Sequence, residues 1–366
     1  MRCSLSFALV IAVVPVAGAQ HYRITDLGSI TPVAINVWGQ VAGNLNNHAV
    51  VWTNNKVRDL GALPGGTFSA ADAINDLGVV AGTGDGPGTL TNPAFSPDSC
   101  NLLVQPFVWS PLKGFVSAPP LPSFGDVLRD PPDACNQKTY ATGINLLGQV
   151  IATNKDIATY MNGYLWDLSK GVSLLAFDYQ NTADSINDFG VVVGEGGYLS
   201  SEELMGAIVI RNNVRAFLPI LNSGDRCSGA NSINDWGQIA GWAEMLDDST
   251  TEGTFCPNRN SDEASIPIHA MLWQSSSATP SDLGTLTGDL FSMAVKVNSL
   301  GVVVGMSGNS LVGLDHVPIL QVLGHPFIWD RVRGMRDLNY LIPRFSGWTL
   351  QSVSDINGIA KSWEQV

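Results

Sequence analysis

The chain has 366 residues, of which 45% are hydrophobic and only 14% are charged, with 38 Gly and 20 Pro. This composition provides ample apolar material for a core and excludes a charge-rich disordered chain. The formal net charge of −13 disfavours a nucleic-acid partner, because phosphate backbones are bound by basic surfaces.

Residues 1–19 have the pattern of a secretory signal peptide. The stretch MRCSLSFALVIAVVPVAGAQ begins with one Arg, continues as an apolar run and ends in small residues around Ala19. We therefore expect cleavage near Ala19 and export to the extracellular or periplasmic space. Residues 20–366 then form one mature domain, which we expect to be monomeric. No later stretch is long and apolar enough to predict a membrane span.

One motif recurs along the whole mature chain: Ile-Asn or Val-Asn, two variable residues, Gly and a short apolar run. The copies are VAINVWGQVAG (33–43), DAINDLGVVAG (72–82), TGINLLGQVIA (142–152), DSINDFGVVVG (184–194), NSINDWGQIAG (231–241), VKVNSLGVVVG (295–305) and a shortened SDINGIA (354–360). Repetition at this spacing predicts a repeat architecture.

Two further motifs follow most copies. The first ends in an aromatic residue: HAVVW (48–52), QPFVW (105–109), GYLW (163–166), HAMLW (269–273) and HPFIW (325–329), with GAIVI (206–210) as a degenerate copy. The second is DLG at 59–61 and 282–284 and DLN at 337–339, with one more DLG at 26–28 before the first unit.

Each unit therefore holds four short β-like segments, rich in Val, Ile and aromatics and bounded by turn residues. Four-stranded units repeated six or seven times predict an all-β fold, a β-propeller. The mature chain begins with a fourth-strand sequence, HYRITDLG (21–28), and ends with a seventh Asn motif. We predict six full blades plus a seventh, composite blade built from both termini. A six-bladed ring is the alternative.

The ordered alternation of INDxGQVVG-like, HAFLW-like and DLG motifs resembles the HAF-repeat extracellular proteins of bacteria. The resemblance covers essentially the whole mature chain. It implies a secreted repeat protein and no catalytic activity that could be transferred to residues of this chain. The GAIVI segment and the shortened last copy depart from the family pattern.

The Asn and Gly of the first motif are predicted to be turn residues. A catalytic residue is needed once, whereas these two recur in nearly every unit. Asn at the first position of a turn hydrogen-bonds the local backbone, and Gly at the fourth tolerates a positive φ. The structural repeat turns are Asn36, Gly39, Asn75, Gly78, Asn145, Gly148, Asn187, Gly190, Asn234, Gly237, Asn298 and Gly301.

Signals for catalysis and metal binding are weak in this sequence. No serine-hydrolase, zinc-protease, Walker or dinucleotide motif appears, so no catalytic residue is assigned. His48, His269 and His325 precede repeat Trp residues, where packing or capping is favoured over metal binding. We predict no cofactor or metal; calcium is unsupported because the turns lack an alternating Asp ligand loop.

The mature chain keeps four cysteines after the signal peptide. An even count in an exported protein favours two disulfides over a metal site. The closest pairs in sequence are Cys100–Cys135 and Cys227–Cys256, although four cysteines allow three connectivities.

Loop lengths predict where function lies. Turns between the first and second and between the third and fourth strands are short and share one face. The opposite, long-loop face receives the insertions 83–104, 117–140, 242–268 and 306–324. One insertion carries a possible ligand face at Asp247, Asp248, Glu252 and Asp262. Drift in tolerant surface loops and a solvated acidic loop are the alternative interpretations.

The leading hypothesis is a non-enzymatic propeller that binds an extracellular protein or glycan through the long-loop face. One alternative is an extracellular hydrolase or lyase with acidic residues at the channel mouth. A purely structural envelope protein is the other.

Overall fold

The computed structural model describes residues 22–86, 104–119, 139–155, 161–175, 181–198, 201–222, 227–245, 267–313 and 320–357. Within these ranges the chain is all-β apart from one 3-10 turn at Leu338–Tyr340. No helix in the described ranges has the length and hydropathy needed to cross a membrane. Residues 1–21, which include the predicted signal peptide, lie outside these ranges.

The described strands form six four-stranded antiparallel sheets. The first contains β1 (Thr31–Ile35), β2 (Val41–Leu45), β3 (His48–Thr53) and β4 (Lys56–Gly61). The second contains β5 (Ser69–Ile74), β6 (Val80–Asp85), β7 (Val104–Ser110) and β8 (Gly114–Ser117). The third contains β9 (Thr139–Ile144), β10 (Val150–Lys155), β11 (Met161–Asp167) and β12 (Gly171–Leu174).

The remaining three sheets repeat this arrangement. The fourth contains β13 (Ser185–Ile186), β14 (Val192–Tyr198), β15 (Ser201–Arg211) and β16 (Val214–Phe217). The fifth contains β17 (Ser228–Ile233), β18 (Ile239–Glu244), β19 (Ile268–Trp273) and β20 (Ser281–Asp282). The sixth contains β21 (Phe291–Val297), β22 (Val303–Gly313), β23 (Leu320–Asp330) and β24 (Gly334–Asp337).

Strands within every sheet are paired in chain order, so each sheet is an up-and-down meander. The first strands of successive sheets contact one another from β1 to β21. This arrangement fits a β-propeller, in which first strands surround an axis. The predicted all-β class and the four-stranded units are confirmed.

The meander also separates two faces. Turns between first and second strands and between third and fourth strands lie on one face, called the turn face below. Connections between second and third strands and between successive sheets lie on the opposite, long-loop face. The parity follows from the antiparallel strand order.

The core lies between neighbouring sheets. One cluster joins Ala42 and Val51 of the first sheet to Ile74, Phe107 and Trp109 of the second. The same arrangement recurs between the fourth and fifth sheets, where Trp273 is 1% exposed and packs with residues of both. Burial of aromatic side chains at these two boundaries stabilises the contact between sheets.

Close packing explains the Gly that ends the apolar run of the first motif. A Cβ at Gly241 would overlap the carbonyl oxygen of Gly229 in the paired strand β17. A Cβ at Gly82 would overlap the Phe107 ring. These positions therefore need the absence of a side chain rather than a special φ.

Both ends of the described chain pack together against the sixth sheet. Tyr22 and Ile24 share a hydrophobic cluster with Leu350 and Ile356 and with Val304 of β22. The Tyr22 N–H donates to the Leu341 carbonyl oxygen at 3.0 Å. The first and last segments are thus neighbours in space.

Two expectations about strands need correction. Residues 22–28, predicted as a fourth strand, contain none, and the Asp26 carboxylate instead accepts the Gly28 N–H at 2.7 Å in a local turn. Residues 306–324, predicted as a loop insertion, are mostly strand, because β22 extends to Gly313 and β23 begins at Leu320. In this extension Leu311 pairs with Val322, which is buried in an apolar cluster.

Candidate ligand-binding site

The repeated Asn residues organise the turns at which they lie. In the fifth unit the Gly237 N–H donates to the Asn234 carbonyl oxygen at 3.0 Å, and Gly237 has φ +78°. The Asn234 Oδ1 accepts the N–H groups of Trp236 at 3.1 Å and Gln238 at 2.9 Å. The Asn side chain therefore caps its own turn, as Asn does in many tight turns.

The other end of each Asn amide crosses to the next unit. Each Nδ2 donates to the carbonyl oxygen of the Asn in the following unit, at 3.0 Å (36 to 75), 2.9 Å (75 to 145), 3.1 Å (145 to 187), 3.2 Å (187 to 234), 2.8 Å (234 to 298) and 3.1 Å (298 to 357). The Asn357 Nδ2 donates to the Asn36 carbonyl oxygen at 3.4 Å. The seven amides form a closed cycle, so they hold units together rather than face a ligand.

Carboxylates beside these turns make a second set of contacts between units. The Asp76 Oδ1 accepts the Val37 N–H at 3.0 Å, and the Asp235 Oδ1 accepts the Asp188 N–H at 2.9 Å. Burial raises the pKa of Asp188, and the nearby negative charges of Asp235 and Asp76 raise it further. Asp188 therefore lies within the electrostatic influence of carboxylates from two other units on the turn face.

His and Asp pair within individual sheets. The His48 Nδ1 lies 3.1 Å from both Asp59 carboxylate oxygens, and the His269 Nδ1 lies 2.9 Å from the Asp282 Oδ2. Burial raises the pKa of Asp282, but hydrogen bonds from His269 and the Gly284 N–H outweigh it, so the pKa is lowered. These pairs join the third strand to the fourth, which explains why the His and Asp-Leu-Gly motifs occur together in these units.

A pocket lies on the long-loop face between the first and second sheets. It is open to solvent, has a volume of about 800 Å³ and is lined by ten residues from the start of β1, the end of β2 with the following turn, and the start of β5. Seven of the ten are Ser, Thr or Asn, and none is charged. Its size is in the range of small-molecule and cofactor sites.

The far wall of this pocket is fixed by a buried carboxylate. Asp85, at the end of β6, accepts the N–H groups of Thr67 and Phe68 at 2.7 Å each and the Thr67 hydroxyl at 2.6 Å. Burial raises the pKa of Asp85, but these hydrogen bonds outweigh it and lower the pKa below its ordinary value. Asp85 therefore remains ionised at neutral pH and anchors the pocket wall.

The near wall offers polar groups that the described part of the protein does not satisfy. The turn Asn46-Asn47 has φ values of 50° and 64° and exposes both side chains. Among described residues, no hydrogen-bond partner is found for the side chains of Asn46, Asn47 or Thr31. Asn44 is held differently, because its Oδ1 accepts the Ala71 N–H at 2.7 Å.

Sequence reasoning missed this pocket because it concentrated on long insertions. The Asn-Asn pair lies in a connection of only two residues on the long-loop face, where turn chemistry is the obvious explanation. Adjacent units also come together there, and the sequence does not show which side chains meet. An Asn-Asn turn on the face opposite the repeated turns was the available signal.

Several predicted site residues cannot be compared with this geometry. Asp247, Asp248, Glu252 and Asp262 lie outside the described residues, as do Cys100, Cys135 and Cys256. Cys227 is 1% exposed and disulfide-bonded, but its partner lies outside the described ranges, so the pairing Cys227–Cys256 stays a prediction. Within the described ranges, no three His, Cys, Asp or Glu side chains group as a metal site.

The sequence of this chain matches no protein-family profile, and no curated protein is similar to it. Solved structures with a similar arrangement include dipeptidyl peptidase 4 of Porphyromonas gingivalis, with TM-score 0.43, 9% identity and coverage of 93% of this chain. This chain spans 49% of that peptidase.

Two further structural neighbours are of comparable length to this chain. An Aleuria aurantia lectin mutant in complex with α-methyl-L-fucoside has TM-score 0.36 and 10% identity, covering 90% of this chain and 94% of that one. A mutant of AofleA from Arthrobotrys oligospora has TM-score 0.33 and 10% identity, covering 87% and 88%.

Proposed function

We propose that this chain is a secreted, non-enzymatic β-propeller that binds a neutral glycan through its long-loop face. The observation that carries the proposal is the uncharged polar pocket between the first and second sheets. The function rests on the chemistry of this pocket, because a propeller fold alone is compatible with many functions.

The lining favours a sugar over other small ligands. Amide and hydroxyl groups both donate and accept hydrogen bonds, as sugar hydroxyls do. A charged ligand would find no opposite charge in the wall, since Asp85 is directed at backbone N–H groups of the 67–68 segment. The half-buried Phe68 ring adds an apolar surface beside the polar groups.

For the scaffold we propose a closed ring of seven blades, with the seventh formed by the two terminal segments. The cycle of seven Asn amides supports this number, because a six-unit ring would leave one Asn out. The shared core of residues 22–24 and 350–356 supports closure by both termini.

Export and family membership remain part of the proposal. The signal-peptide pattern of residues 1–19 and the disulfide of Cys227 support an oxidising compartment. The repeated motifs support a HAF-repeat protein.

Replacement of the two turn asparagines in the pocket tests the glycan site. Gly accepts the positive φ of both positions, so Asn46→Gly with Asn47→Gly removes the amides while retaining the turn. We expect affinity for a glycan first identified on an array to fall about tenfold or more, as two hydrogen-bonding groups are lost. Titration calorimetry measures the change.

The matched control lies in the same sheet on the opposite face. Asn54 and Asn55 form a second Asn-Asn turn, with φ values of 50° and 62°, between β3 and β4. Asn54→Gly with Asn55→Gly should leave glycan affinity unchanged. The proposal would be contradicted if the pocket variant and the control variant bound the glycan equally well, or if the unchanged chain bound no glycan.

A further inference from the structure

The turn face carries a ring of exposed apolar side chains. In each of six units, the residue two positions after the repeated Asn is large, apolar and between 59% and 77% exposed: Trp38, Leu77, Leu147, Phe189, Trp236 and Leu300. A turn needs no apolar residue at this position, because the capping contacts come from the Asn side chain and the Gly backbone. The repeated exposure therefore requires another explanation.

An outer ring on the same face combines apolar and basic side chains. In three of the turns between third and fourth strands, Leu112, Leu168 and Val332 are 96%, 50% and 91% exposed. Each lies within two residues of an exposed cation: Lys113, Lys170, or Arg331 and Arg333. Ten of the eighteen exposed large apolar side chains in the described ranges lie in turns of this face.

Acidic groups on this face are partly buried, except Asp235, which is exposed. In the outer ring Asp167 pairs with Lys170 and Asp330 pairs with Arg336, and these two carboxylates are only 18% and 19% exposed. Nearer the centre, Asp76 and Asp188 are half-buried and accept backbone N–H groups of neighbouring units. At the rim, two carboxylates (Asp167 and Asp330) are outnumbered by five cations: Lys113, Lys170, Arg331, Arg333 and Arg336. The rim is therefore positive, although the whole chain carries −13.

We propose that the turn face docks on an anionic lipid surface, with the apolar ring inserted at the interface and the rim cations near the headgroups. The partner is argued from charge: cations surround the apolar groups, as headgroup binding requires. Each sheet contributes one such apolar side chain from its turn between the first and second strands. The apolar groups are therefore spread around a ring rather than gathered in a groove. Exposed Trp suits the membrane interface.

A second copy of the chain fits this face less well. If two copies packed turn face to turn face on a common ring axis, the rim cations of one copy would lie opposite those of the other. The central carboxylates of the two copies would also lie opposite one another. Like charges facing each other oppose association. Docking on lipid also leaves the long-loop face free, so it is independent of the proposed glycan site.

Vesicle flotation tests the proposal with the full mature chain. The probes are phosphatidylcholine vesicles containing about one-third phosphatidylglycerol and vesicles of phosphatidylcholine alone. We expect binding to the anionic vesicles, weakened by salt, with a blue shift of tryptophan emission. The variant Leu147→Ser, Phe189→Ser and Trp236→Ser should bind about tenfold or more weakly, because three inserted groups are lost.

The matched control replaces three exposed apolar residues away from this face. Leu290, Tyr340 and Phe345 are 58%, 85% and 101% exposed, and their replacement by Ser should leave vesicle binding unchanged. Circular dichroism and melting verify that both variants fold. Three outcomes would each overturn the proposal. They are no vesicle binding by the unchanged chain, equal binding by the variant with Leu147, Phe189 and Trp236 replaced, and a dimer of the unchanged chain that only this variant disperses.

Discussion

At the residue scale, one Asn in each unit satisfies two different demands. Its oxygen caps the local turn, and its amide nitrogen reaches the next unit, as in the contact of 2.8 Å from Asn234 to the Asn298 carbonyl. The side chain is almost fully buried, at 7% exposed. Buried polar groups of this kind are costly to leave unpaired, so the Asn is a structural link between units.

Substitution of Asn234 should therefore destabilise the fold. Asn234→Ala removes the cap and the cross-unit bond and should lower the free energy of unfolding by about 2–4 kcal/mol. Asn234→Asp places a carboxylate oxygen against the Asn298 carbonyl oxygen and the Gln238 Oε1, so at neutral pH it should cost at least as much. Chemical denaturation measures both, with exposed Leu77→Ala as the control within about 0.5 kcal/mol. A neutral Asn234→Ala would contradict the structural role.

The turn role of this Asn could be predicted from its repetition, whereas its hydrogen-bond partner in the next unit could not. A motif seen seven times indicates a turn, because turn chemistry depends on neighbours in sequence. The contact from Asn145 to Asn187 and the polar pocket at Asn46 and Asn47 depend on which units adjoin in space. Spacing along the chain contains no such information.

At the element scale, the sequence predicts the strands best where the motif is complete. The segments ending in Trp form strands in five sheets, as expected from their alternation of β-branched and aromatic residues. The strand and loop predictions are wrong at residues 22–28 and 306–324, because tertiary contacts rather than the local motif determine the backbone structure there. Leu311 and Val322 extend two strands by covering an apolar cluster. The terminal segment 22–28 is held by the apolar contacts of Tyr22 and Ile24 and by one backbone hydrogen bond from Tyr22 to Leu341.

The last described segment contains no strand, and it is joined to the first strand through the side-chain carboxylate of Asp355. The Asp355 Oδ2 accepts the Ile35 N–H of the first strand at 2.9 Å, although 320 residues separate them. Desolvation raises the pKa of Asp355 above 3.8, only partly opposed by Lys296. The first and last segments are thus joined through an ionisable group.

This link predicts a pH dependence of stability. Because the folded pKa of Asp355 is raised, its contribution is complete below pH 3.8 and is lost as pH rises through the folded pKa. Asp355→Asn cannot ionise, so its stability relative to the unchanged chain should increase from acid towards neutral pH. Urea unfolding at several pH values tests this, and a constant difference between the two proteins would contradict it.

At the scale of the whole molecule, each sheet is stabilised mainly by its neighbours. Each core cluster joins two units, so a sheet at an open end would expose one apolar face. The first and sixth sheets avoid this exposure only if the terminal segments cover them. Residues 22–24 and 350–356 lie in the cluster that does so for the sixth sheet.

Deletion of the closing segment tests this dependence. A chain ending at Gly347 lacks Leu350, Ile356 and the Asn357 amide, and it should lose about 5 kcal/mol or more of unfolding free energy through exposed core. A chain ending at Asn357 keeps every described contact and serves as the control. Calorimetry should show a lower Tm and a broader transition for the shorter chain alone, because an open ring unfolds from its ends. Equal melting of the two chains would mean that the six sheets are stable without closure.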